Sequence, residues 1–150
     1  MSKRLVVSSL AAVAAVAAGT VVFVSSADAA VPDKPEISKA AAHYTAEAGG
    51  GASLTFTASV ADNSGIKNLR VLAWPASSGL APTAAEMRDV EEATCKATSA
   101  AVSKCTYTVK SSAKEAATLP EGVWNVSALV TAKDHDTTFA PHAATFTVKH

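Results

Sequence analysis

Five residues with ligand chemistry fall in two short polar clusters, Asp62-Asn63 and Asp134-His135-Asp136. Carboxylate and amide oxygens are hard donors that suit Ca2+, and a nitrogen from His135 would tilt the same set toward Zn2+. The spacing is not that of a complete ligand loop such as an EF-hand. Asp and Asn also favour turns, because their side chains bond their own backbone. The five positions are therefore weighed as a metal site, with Ca2+ the one cofactor considered, against plain turn capping. A second candidate is Trp74, which precedes Pro75 and a polar connection over residues 76–82. Sandwich tryptophans are commonly core, but an exposed one would make an aromatic binding anchor.

Catalytic chemistry has less to stand on. The chain has no G-x-S-x-G elbow, no H-E-x-x-H pair and no Gly-rich phosphate loop. Its histidines, at 43, 135, 142 and 150, are scattered. A Ser–His–Asp set built on His135 or His142 would be defined by geometry rather than chain order, yet no serine has a nucleophile context. The reading is a protein that is not an enzyme, with no catalytic residue assigned.

Lys3-Arg4 begins a short basic stretch, followed by an apolar run through Val24 and then Ser25-Ser26-Ala27-Asp28-Ala29-Ala30. Small residues at Ala27 and Ala29 meet the A-x-A requirement of a secretory signal peptide, which places cleavage after Ala29. An uncleaved anchor is the alternative, since Leu5 to Val24 is long enough to cross a bilayer. The whole chain balances 13 basic against 13 acidic residues. The leader removes two of the first and one of the second, leaving a net charge of about −1. That excludes a polycation of the kind that binds nucleic acid or an anionic membrane surface. Export also bears on the two cysteines. Outside the cytosol nothing keeps Cys95 and Cys105 reduced, so they are expected to pair. Closing that loop would stabilise the fold by about 2.5–3 kcal/mol on the chain-entropy account.

Around these residues the pattern is that of an all-β domain. Residues 30–36 form an extended leader to a domain over 37–150. Ile37 to Tyr44 is a weak, Ala-rich first strand ended by Gly49-Gly50-Gly51. Ser53 to Ala61 alternates, with Leu54, Phe56, Ala58 and Val60 on one face. Lys67 to Trp74 is apolar on both faces, which predicts a central strand. Thr83-x-x-Glu86 and Ser112-x-x-Glu115 are capping boxes and predict two short helical connections. Between them a hairpin carries the cysteines, and Glu86, Asp89, Glu91 and Glu92 around Arg88 read as a solvated helix face. Val123 to Thr131 has Trp124, Val126, Ala128 and Val130 on its inner face, and Thr138 to Val148 closes the domain. About seven strands at this spacing predict a two-sheet sandwich.

Two stretches carry a resemblance. Asp62-Asn63-Ser64-Gly65-Ile66-Lys67-Asn68-Leu69-Arg70-Val71 resembles the "D-N-S-G-I-x-x-V-x-V" segment of bacterial immunoglobulin-like and fibronectin-type-III-like domains. Leu119-Pro120-Glu121-Gly122-Val123-Trp124-Asn125-Val126 resembles their "L-x-D-G-x-Y-x-V" segment, and Ala132-Lys133-Asp134-His135-Asp136 their "A-x-D-x-x-G-N". The family's aromatic in the second segment is Tyr, whose hydroxyl bonds the backbone at a corner. Here it is Trp124, so a corner would need the indole N–H. The chain also looks like small secreted actinobacterial proteins of unknown function built on such a domain. The resemblance implies an immunoglobulin-like sandwich in which the loops holding Asp62 and Asp134 emerge at one end, so the five ligand candidates would converge. The expected function is a secreted, extracellular or wall-associated binding module presenting loops to an unknown extracellular protein or polysaccharide. The alternative is an envelope-associated structural or accessory protein.

Overall fold

Strict alternation over Ala52–Ala61 sets one wall of the core. In this computed structural model, which describes residues 30–150, every second residue of that strand is buried. The signal segment and the cleavage position after Ala29 lie outside the described residues. The strands are β1 (Glu36–Ala46), β2 (Ala52–Ala61), β3 (Ile66–Pro75), β4 (Thr94–Ala97), β5 (Val102–Ser111), β6 (Gly122–Ala132) and β7 (Thr137–Val148). They form two antiparallel sheets, ordered β1-β2-β5-β4 and β3-β6-β7. The domain is thus an all-β sandwich of seven strands.

The core lies between the sheets. Leu54, Phe56, Ala58 and Val60 of β2 meet Leu69 and Val71 of β3, Val126, Ala128 and Val130 of β6, and Phe146 and Val148 of β7. Each of these faces follows from the period of two in its own strand. No helix among the described residues is long and apolar enough to cross a membrane.

One strand assignment needs correcting. The apolar character of β3 on both faces predicts a central strand, but β3 is the edge of its sheet and β6 is the centre. The residues 126–130 of β6 are all buried. The outer face of β3 is apolar for a different reason: the connection over 76–93 folds back on it. That connection holds two 3-10 turns, Ala76–Ser78 and Glu86–Asp89, and Met87 of the second is fully buried. Its end then runs along the free edge of β3, where Val71 N–H donates to the Glu91 carbonyl at 3.0 Å and Ala93 N–H to that of Leu69 at 2.8 Å.

Both capping boxes form. Thr83 N–H donates to Glu86 at 2.8 Å and Ser112 N–H to Glu115 at 2.8 Å, with each hydroxyl accepting the returning N–H at 3.3 Å. The first opens a 3-10 turn and the second a single α-turn, α1 (Ala113–Ala116). Cys95 and Cys105 stand directly opposite each other on β4 and β5 and lie within bonding distance. Their bond joins two strands of one sheet.

Candidate functional site

The two loops expected to meet do meet. Lys133 N–H donates to the Gly65 carbonyl at 2.9 Å, and Asp134 N–H to the Ser64 hydroxyl at 3.2 Å. What they build is a set of turn caps. Asp62 is fully buried, and its Oδ1 accepts the Ser64 N–H at 2.8 Å. Asp134 Oδ1 accepts the Asp136 N–H at 3.1 Å. Asn63 donates to the Asp33 carboxylate at 3.2 Å, which ties down the residues before β1. His135 takes a left-handed backbone, φ 77, to close its turn. Asp62 Oδ2 is buried without a hydrogen-bond partner. Among the described residues, no three His, Cys, Asp or Glu side chains gather as a metal cage would require. The loops of Asp62, Asn63, Asp134, His135 and Asp136 thus converge, with one oxygen each of Asp62 and Asp134 accepting a backbone N–H.

Trp74 also differs from an exposed anchor. It is buried on the outer face of β3, under the 76–93 connection. Its indole N–H donates to the Ser127 hydroxyl at 2.9 Å, and that hydroxyl donates on to the Pro141 carbonyl at 2.7 Å. The His142 ring lies 5.6 Å away, tilted by 50°. A buried indole needs such a partner, and Ser127, on the central strand, supplies it. His150 is likewise engaged, with Nε2 3.0 Å from the Leu119 carbonyl.

The acidic stretch is not a helix face. Glu86 caps its turn, while Glu92 pairs with Arg70 at 2.7 Å in the extended segment beside β3. Glu91 points the other way and accepts the Tyr107 hydroxyl at 2.7 Å. Tyr107 belongs to the opposite sheet, so this bond spans the open side of the sandwich.

That open side holds a cavity of about 450 Å3. It exists because β4 is short: it pairs β5 only as far as Thr106 and leaves 107–111 without a neighbouring strand on that edge. The walls come from four strands, with Tyr44 of β1, Tyr107 of β5, Trp124 of β6 and Phe146 of β7 all lining it. Phe146 is the middle of a three-ring stack. Tyr44 lies 6.1 Å on one side at 15° and Trp124 5.7 Å on the other at 27°. Leu54 and Val71 form the floor, with Val109 and Leu119 nearer the surface. The charged side chains in the lining are Asp89 and Glu91. The Tyr107 hydroxyl is held neutral, its pKa pushed up to about 12 by burial first and then by the hydrogen bond and charge of Glu91.

A concave, mostly apolar space of this size with a few polar groups is what small-molecule sites have in common. It lies at the ends of β3, β5 and β7 and the starts of β2 and β6, away from the 62–65 and 132–136 turns. The sequence reading missed it. The available signal was that Tyr44, Trp124 and Phe146 sit near strand ends, with Tyr107 in the middle of β5.

One further bond bears on the architecture. The Trp124 indole N–H donates to the Pro120 carbonyl at 2.9 Å, fixing the chain as it enters β6.

A sequence model of DUF5707, a family of unknown function, matches residues 37–130, from β1 to nearly the end of β6. No curated protein and no solved structure matches the chain.

Proposed function

The chain belongs to the DUF5707 family of unknown function, and we propose that this member is a secreted, non-catalytic binding module on an immunoglobulin-like scaffold. The cavity between the sheets, rather than the loops at one end, is its binding site. The observation that carries the reading is the cavity of about 450 Å3 walled by Tyr44, Tyr107, Trp124 and Phe146. Four aromatic side chains on four strands form a rigid apolar wall, and rigid scaffolds lose little entropy when they bind.

Two features support the scaffold. The strand orders β1-β2-β5-β4 and β3-β6-β7 match the four-plus-three division of the constant-type immunoglobulin fold. The Trp124 bond to Pro120 stands where that fold has its tyrosine corner, with an indole N–H in place of the phenol. Export is supported by the basic-apolar-small pattern of residues 1–29 and by the paired cysteines, since such bonds persist in oxidising compartments.

Two measurements test the proposal. Mass spectrometry of the host's culture medium should find a chain that begins at Ala30. The collected protein should take up the neutral dye Nile red at one saturable site, and Val109→Trp, which fills the mouth, should abolish uptake. A dye signal that does not saturate, or that Val109→Trp leaves unchanged, would sink the binding reading.

A further inference from the structure

The charge distribution around the cavity narrows the class of ligand. We infer that the cavity selects an organic cation, a molecule with an apolar or aromatic body and a single ammonium-type head, over neutral or anionic molecules of the same size. This rests on the cavity being a binding site, as proposed above.

The first argument is the sign of the lining. Asp89, the last residue of the second 3-10 turn, and Glu91, two residues on, stand at the mouth, and among the described residues no Lys, Arg or His lines the cavity. Two cations on the strands that wall the cavity are committed elsewhere. The Arg70 guanidinium donates to the Val90 carbonyl at 2.6 Å and pairs with Glu92 at 2.7 Å. Lys110 is on β5 with its ammonium 3.7 Å from Glu47. The field at the mouth is therefore set by two carboxylates beside a low-dielectric wall, which concentrates positive ligands.

The second argument is the wall itself. The faces of aromatic rings carry negative potential and attract a cation within about 6 Å. Phe146 is covered by its stacking on Tyr44 and Trp124, so the lining rings available for such a contact are Tyr44, Trp124 and Tyr107. The Tyr107 hydroxyl stays protonated and already donates to Glu91, which keeps that carboxylate aimed across the mouth. A quaternary ammonium head loses less hydration than a primary amine or a metal ion when it enters a site of this kind, so the apolar wall favours it.

The test compares three ligands of similar size on the full-length secreted protein: benzyltrimethylammonium, its uncharged carbon counterpart neopentylbenzene, and benzenesulfonate. Each is tested for displacement of Nile red, with the emission of the two tryptophans, one of them in the cavity wall, as a second signal. The expected result is binding of the cation roughly tenfold tighter than the neutral compound, the middle of the range for partly desolvated cation–aromatic contacts, and no displacement by the sulfonate. In the Asp89→Asn/Glu91→Gln double variant the ratio of cation to neutral affinity should shrink several-fold. A cation that binds no tighter than the neutral compound overturns this inference and leaves the cavity a binding site. A full preference retained in the double variant overturns it as well. Failure of Nile red itself to bind the unaltered protein overturns the binding reading on which it rests.

Discussion

The Tyr107 hydroxyl donates to the Glu91 carboxylate at 2.7 Å, and in doing so it links one sheet to the connection that edges the other. It is the polar contact across an otherwise apolar opening. Its strength depends on Tyr107 staying protonated, and the surroundings ensure that.

That protonation can be measured directly. The chain has two tyrosines, so Tyr44→Phe leaves Tyr107 as the sole phenol. Its phenolate absorbance should emerge at about pH 12 rather than at 10.0, the ordinary value. Glu91→Gln should lower the midpoint without restoring the ordinary value, because burial is the larger cause. The folded pKa lies above the unfolded one, so the contribution to stability is complete below pH 10 and is lost as pH rises toward 12. Melting temperature should therefore fall across that window, and Tyr107→Phe should remove this part of the fall.

The acid side is governed by the caps. Hydrogen bonds from the backbone of Thr83 and Ser112 lead in holding the Glu86 and Glu115 carboxyls below their ordinary 4.5. Depressed folded values mean that the stabilisation is present above that pH and is lost as pH falls through the depressed range. Glu86→Gln/Glu115→Gln should flatten the acid limb of a melting-temperature profile. Equal slopes in the two proteins would refute the assignment.

Ser127→Ala should cost about 1–3 kcal/mol in urea unfolding, the penalty for leaving a buried donor without its acceptor. Trp74 N–H and the Pro141 carbonyl both lose their partner in that variant. Thr at the same position, which retains a hydroxyl, should lose less. A Ser127→Ala protein as stable as the parent would show that the relay contributes nothing.

Gly65→Ala should be damaging at the loop end. Gly65 has φ +88, and an added Cβ would stand 2.9 Å from the Ala100 carbonyl oxygen. Left-handed backbone at a non-Gly residue costs about 1–3 kcal/mol, and the close approach adds to it. Calorimetry should show a lower melting temperature, with Nile red uptake at the distant cavity unchanged.

Much of this architecture was legible along the chain. The alternation of β2 and the inner face of β6 are written in single strands, and each capping box needs only residues three apart. The cysteine pair followed from compartment. What local pattern does not encode is which strand neighbours which. β3 looked central because Leu72 and Trp74 are apolar, yet Trp74 packs on Ser127 and His142 of its own sheet and Leu72 lines the cavity, while β3 itself is an edge. The Asp and Asn clusters looked like ligands, but whether an Asp62 oxygen faces a cation or a backbone N–H is decided by the turn it sits in. The cavity was the least visible, because it comes from the shortness of β4 and from four rings far apart in sequence.

Because the Cys95–Cys105 bond lies within one sheet and the chain has no other cysteine, no disulfide ties the two sheets together. Under tension applied at the chain ends, the bond would withhold roughly 30 Å of contour, the extended span of its ten-residue loop. The sheets themselves could still part like the leaves of a hinge. The free side of that hinge is where Tyr107 meets Glu91, so the mouth of the cavity is also the seam along which the domain would yield.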